Sequence, residues 1–467
     1  MPEKNKADQL KEKLFYTKKN GLATADDATV QASVDFCEDY KTFLNVAKTE
    51  REAVKEIVAR AEEKGYRPFN PKAKYAPGDK VYYNNRGKAV ILSTIGTDPV
   101  EEGVRIAAAH IDSPRLDLKP NPLYEDSELA LFKTHYYGGI RKYQWVAIPL
   151  ALHGVIVRKD GTEVEVRIGE DEGDPTFVVT DLLPHLATEQ SKRTLADGIR
   201  GEELNVMVGS MPFRGDETSE AVKLNVLRLL NEKYGIVESD FLSAELEVVP
   251  AFSAKDVGFD RSLIGSYGHD DRVCAYPAMM AELNAVKPRK TTVTILTDKE
   301  ETGSDGNTGL NSSYLKYFIH DLARMQNGTD GTAALANSEC LSADVNAGFD
   351  PTFPDVMERR NASFLNYGAV ITKYTGSRGK GGTSDASAEY VGRIRRMLDR
   401  AGVIWQTGEL GKVDAGGGGT VAMYIANLGV DVVDLGVPVL SMHAPFEVVS
   451  KLDVYMAYRA FLAFYQD

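Results

Sequence analysis

Cysteine is scarce: Cys37, Cys274 and Cys340 are the only three in 467 residues. So odd and scattered a set builds neither a disulfide framework nor a Cys-rich zinc site, and it suits a reducing compartment. Positive charge is also short. Lys and Arg number 55 against 68 Asp and Glu, a net charge of −13, which disfavours nucleic acid or an anionic membrane as a partner. No stretch approaches the roughly 18 uninterrupted apolar residues of a membrane span. The opening Met1-Pro2-Glu3-Lys4-Asn5-Lys6 lacks a signal-peptide core, so the cytoplasm is the expected location. The triplets Asn311-Ser312-Ser313 and Asn361-Ala362-Ser363 therefore carry no weight as glycosylation acceptors. Repeats and sustained heptads are absent as well.

The length fits about three domains and equally an α/β fold with one insertion. Helix formers dominate residues 28–64, with apolar residues returning at Phe36, Tyr40, Phe43 and Leu44, and Gly65 supplies a stop; one or two helices are expected. Residues 81–83, 89–92 and 106–109 read as strands. Between 121 and 254 the character changes. Residues 145–150 and 154–157 look strand-like, a Lys159-Asp160-Gly161 turn follows, and residues 164–166 and 245–249 continue the pattern. This predicts an antiparallel β-rich insertion, with a polar, mobile segment at 191–203. The α/β part then comprises residues 1–120 and 255–467. Pro277 is expected in the first turn of a helix, where its missing N–H is harmless. The run Gly416-Gly417-Gly418-Gly419 fits either a close backbone approach or a flexible loop.

Chemistry-bearing residues follow the apolar runs. The run 291–297 leads to Glu300-Glu301, in which one carboxylate can hold a metal while the other moves a proton. Residues 105–109 lead to His110-Ile111-Asp112, and residues 435–440 lead to Ser441-Met442-His443. Ligands at several strand exits can converge in an open α/β sheet. Asp270, before an expected helix, and Asp344 fit the same crevice. Taken singly, each has a plainer reading: a solvated acidic loop, a hydrogen-bonded core histidine, a turn or capping aspartate.

Together, His110-Ile111-Asp112-Ser113-Pro114, Asp270-Asp271, Glu300-Glu301-Thr302-Gly303-Ser304, Ser342-Ala343-Asp344 and Leu440-Ser441-Met442-His443 occur in the order of a known family. The chain resembles, over nearly its whole length, the metallopeptidases that include aspartyl aminopeptidase and aminopeptidase I, in which Asp-Asn often stands where this chain has Asp-Asp. The resemblance implies a mixed-sheet zinc-exopeptidase catalytic domain with an inserted dimerisation domain. It implies two divalent metals bridged by Asp270, with His110 and Asp344 completing one site and Glu301 and His443 the other. Zinc is the first choice, and cobalt or manganese also suits such ligands. Glu300 is then the general base and Asp112 the residue that orients His110. His185 matches the family histidine that enters a neighbouring subunit's site, and the family builds dodecamers from dimers. A structural histidine is the alternative reading of His185.

The implied activity is removal of an N-terminal residue from short peptides with a free amino terminus. Two departures bear on substrate. Residues 412–420 replace a Pro-containing stretch of the aspartyl branch and look closer to aminopeptidase I. Arg378 and Lys380 lie near the segment that supplies a basic substrate contact in aspartyl enzymes, but match it poorly and also read as ordinary surface residues. Neutral or varied N-terminal residues are therefore expected. A strict aspartyl or glutamyl aminopeptidase, a dinuclear carboxypeptidase or deacylase, and a noncatalytic scaffold are the alternatives.

Overall fold

A computed structural model describes residues 5–215 and 219–467. The helical N-terminal region resolves into two helices, Asp27–Val46 and Glu50–Glu63. Thr49 separates them because its side chain caps the second helix in a reciprocal box with Glu52. That helix ends where Gly65 adopts φ +83°. Gly65 N–H bonds Glu62 C=O at 2.9 Å and Tyr66 N–H bonds Ala61 C=O at 3.0 Å, satisfying carbonyls that would otherwise be stranded.

A nine-stranded mixed sheet forms the centre. The Arg105–His110 strand runs parallel to Thr292–Thr297 on one side and Glu339–Ser342 on the other, and the latter is parallel to Asp431–Gly436. Four carboxyl ends therefore leave the same edge. These strands are buried on both faces, as the continuous apolar runs require. Side-chain alternation sends Ala107, Ala109, Leu296 and Leu341 into one core, with the helices Asp27–Val46, His269–Leu283 and Lys451–Gln466. Ile106, Ala108, Ile295 and Cys340 enter another core, covered by the helix Tyr314–Asn327.

A separate seven-stranded antiparallel sheet begins at Arg115 and ends at Pro250, with its own core beneath the helix Ala221–Tyr234. Residues 145–149 do not join it as a strand. They follow a short 3-10 turn, Lys142–Gln144, and strand pairing starts only at Leu150. Trp145 is instead fully buried, its indole edge-on to Tyr267, so its hydrophobicity serves packing rather than a ladder. Segment 191–203 carries turns held by ion pairing of Arg193 with Glu203 at 2.9 Å. A third, five-stranded sheet contains Leu263–Ser266, Pro438–Leu440 and Glu447–Ser450.

Pro277 lies inside the His269–Leu283 helix, past its first turn. The four-glycine run lies close to other backbone: a Cβ on Gly417 would stand 2.0 Å from Gly376 O. Among the described residues no helix is long and apolar enough to cross a membrane.

Candidate active site

Parallel strand direction assembles most of the site. His110 ends its strand, Glu300 and Glu301 occupy a 3-10 turn three residues beyond Thr297, and Asp344 follows Ser342 by two. Asp270 enters differently, from the start of the His269–Leu283 helix. His443 follows Pro438–Leu440 in the five-stranded sheet. The apolar run 435–440 is thus two strands in two sheets, parted after Gly436.

Asp270 lies between the histidines, with Oδ1 3.2 Å from His110 Nε2 and Oδ2 3.1 Å from His443 Nε2. Asp344 Oδ1 lies 3.8 Å from His110 Nε2, and Glu301 Oε2 lies 3.6 Å from His443 Nε2. Glu300 Oε2 is 3.9 Å from His110 Nε2. The five residues expected as ligands therefore meet at one place, with the expected base beside them.

The donor set fits cations. His110 Nε2, Asp270 Oδ1 and Glu301 Oε1 are buried without hydrogen-bond partners, an arrangement that is costly unless something else satisfies them. His110, Asp270 and Glu301 can bring ligand atoms within 4.8 Å of one another, as can His110, Asp271 and Asp344. Asp271, absent from the expected ligands, also has an unpartnered buried oxygen.

Both imidazoles are aimed from behind. His110 Nδ1 lies 3.0 Å from the Asp112 carbonyl and 3.2 Å from Asp112 Oδ1. His443 Nδ1 donates to the Gly139 carbonyl at 2.8 Å. Each Nε2 is thereby turned toward the carboxylates, the arrangement that prepares a metal-binding histidine.

Without cations the cluster is electrostatically crowded. Burial pushes Glu300 up to about 7, with Asp112 and Asp270 adding to the rise and His110 opposing it. Burial, then Asp270, raises Glu301 well above the carboxylate range, and burial with Glu300 and Asp271 does the same to Asp344. Burial works against the charge of His110, but the neighbouring Asp112 and Asp270 carboxylates override it and raise the imidazole. Carboxyls crowded together under burial call for positive charge at their centre.

The adjoining cavity, about 370 Å³, is walled beyond the charged cluster by Val345, Leu410, Met442, Thr375 and the glycines 417–419. Among the described residues no Lys or Arg lines it. Arg378 and Lys380 face a neighbouring hollow of about 40 Å³. Lys380 pairs with Asp385 at 2.8 Å and lies 3.7 Å over the Tyr374 ring. His185 is exposed on an insertion loop and is not among the cavity's lining residues. Sequence reading also missed Glu447, whose oxygens accept the backbone N–H groups of His443 and Asp270. Its place four residues after His443 is the only local hint.

A mixed α/β sheet whose strand ends, together with a helix start and a neighbouring sheet, gather imidazoles and carboxylates next to an open cavity is the architecture of a metal-dependent hydrolase. Residues 43–465 match the family model described as aminopeptidase I zinc metalloprotease, M18. A probable M18 family aminopeptidase 1 from Clostridium acetobutylicum is 51% identical over 96% of this chain and 97% of its own length. The crystal structure of an M18 aminopeptidase from Thermotoga maritima superposes with a TM-score of 0.93 at 47% identity, covering 97% of this chain and all of that one. At 19% identity and a TM-score of 0.75, over 93% of this chain and 96% of that one, the S. cerevisiae mApe1 dodecamer shares the fold. The chain belongs to the M18 family of aminopeptidases and is a metallopeptidase.

Proposed function

We propose that the enzyme releases neutral or varied N-terminal residues from short peptides, with Glu300 as general base. The observation that carries the substrate reading is the cavity wall of Val345, Leu410, Met442 and Thr375, with no Lys or Arg to pair an acidic side chain. Burying a substrate carboxylate there without a partner is costly. Arg378 and Lys380 stand outside that wall, and Lys380 is already engaged by Asp385.

His110 and Asp344 would hold one cation, Glu301 and His443 a second, and Asp270 both. Two divalent ions held there, zinc by family and also cobalt or manganese by ligand type, would supply Lewis acidity toward the scissile carbonyl and the attacking water. Asp112 fixes the His110 ring. It also accepts the backbone N–H groups of Glu300 and Glu301, each at 3.2 Å, so one carboxylate positions both acids. Glu300 takes a proton from the water and delivers it to the departing amine.

Residues 121–254 serve as the dimerising insertion, and the assembly is a dimer-based homo-oligomer, a dodecamer by analogy with mApe1. Around His185, Leu182, Leu183 and Leu186 are 51%, 50% and 67% exposed in the single chain, an apolar loop suited to burial against a second copy. His185 then reaches the neighbouring site and donates to the oxyanion.

The test is a panel of N-terminal aminoacyl substrates with N-acetylated controls, after loading with each metal. Acetylated substrates should be refused, and Leu, Met and Ala should be cleaved at least comparably to Asp and Glu. A preference for Asp or Glu above about a hundredfold in kcat/KM, nearly 3 kcal/mol, requires an acidic-specific pocket and contradicts this reading.

A further inference from the structure

The inserted sheet reaches the catalytic cluster. Its Leu129–Tyr137 strand runs out into Gly138 and Gly139, and three consecutive residues each meet a different part of the site. The Tyr137 hydroxyl donates to Asp112 Oδ2 at 2.7 Å. Gly138, at φ +75°, lies so close to Glu301 that a Cβ would stand 3.1 Å from Oε2. The Gly139 carbonyl accepts from His443 Nδ1.

Tyr137 is itself held. The Arg115 guanidinium lies 3.9 Å from its ring centroid, and Arg115 is fixed by Asp117 at 2.9 Å and Glu247 at 3.1 Å. Simple packing at the junction accounts for the half-buried ring and leaves the direction of the hydroxyl unexplained. Asp112 Oδ2 receives both that hydroxyl and the Glu301 N–H, while Oδ1 faces His110 Nδ1 and the Glu300 N–H. Rotation of the Asp112 carboxylate would disturb all of them together.

We propose that Tyr137 is a positioning residue of the peptidase reaction. It locks the Asp112 carboxylate, through which the inserted sheet sets the aim of His110 and of the Glu300-Glu301 turn. The inference rests on the reading of His110 as a metal ligand and Asp112 as its orienting partner.

Tyr137→Phe keeps the ring and removes the hydroxyl, with the exposed neighbour changed in Tyr136→Phe as control. Zinc affinity is read by chelator competition, kcat and KM on one aminoacyl substrate, and thermal stability on metal-stripped protein. Tyr137→Phe should lower zinc affinity or kcat by about 10- to 100-fold, the range for partners behind a metal ligand, with KM and the stripped Tm little changed. In an Asp112→Asn background the same change should add nothing, because the hydroxyl acts through that carboxylate. Wild-type zinc affinity and kcat, losses that add to those of Asp112→Asn, or a lowered stripped Tm would each overturn the proposal. If Asp112→Asn itself kept full zinc affinity and turnover, the failure would lie in the underlying reading of Asp112.

Discussion

Glu447 Oε1 accepts the backbone N–H of His443 at 2.7 Å. Its other oxygen accepts the Asp270 N–H at 3.1 Å, so one buried carboxyl ties the residue between the two histidines to one of those histidines. Glu447→Gln preserves size but turns an amide N–H toward one of these donors. Zinc affinity should fall about tenfold or more, measured by chelator competition, with the fold intact by circular dichroism. Unchanged affinity would show that the two backbone bonds do not set ligand geometry.

Stability of the metal-stripped protein should fall as pH rises from about 5.5 to 8.5. Burial pushes Asp434 up to about 7 and Asp453 up to about 8, and hydrogen bonding to Asp270, over the opposing effect of burial, raises His443 to about 10. For all three the folded pKa exceeds the unfolded one. The folded state therefore holds extra protons, and their contribution is full below the unfolded pKa and lost as pH climbs through the folded value. Zinc reverses the trend, since the ligands must shed protons to bind it. Calorimetric scans with and without zinc check this: the zinc-induced gain in Tm should be larger at pH 8 than at pH 6. A stripped Tm that is flat or rises with pH would contradict it.

Much of the site was legible because its residues follow continuous apolar runs, and a parallel sheet carries such runs to a common edge. The Arg105–His110 and Thr292–Thr297 strands behave in this way. The run 435–440 misled, since hydropathy cannot show that Gly436 ends a strand in one sheet and Pro438 begins one in another. Gly436 is needed because a Cβ there would lie 1.7 Å from Asp344 O. Trp145 misled for a related reason: β propensity measures fit to a half-buried surface, and a core plug satisfies it as well. Glu447, Asp271 and Tyr137 carry no ligand spacing of their own. Their relevance comes from tertiary contacts, Tyr137 to Asp112 across 25 residues, His110 to Asp271 across 161 and Glu447 to Asp270 across 177, all longer than a helix- or strand-sized window.

If His185 completes a neighbouring subunit's site, an inactive His185→Ala chain and an inactive Glu300→Gln chain should restore part of the activity when mixed. A mixed dimer can then contain one intact composite site. Subunit exchange is followed separately by mass spectrometry of differently tagged chains. No recovery in demonstrably mixed oligomers would place the complete site within each chain.

The central claim divides labour between neighbours: Glu300 moves protons and Glu301 holds metal. Metal content and kcat measured together on Glu300→Gln and Glu301→Gln test it most directly. Glu300→Gln should retain its metal and lose about two to four orders of magnitude in kcat, whereas Glu301→Gln should lose metal as well as activity. A metal-replete Glu300→Gln enzyme with undiminished turnover would contradict the account.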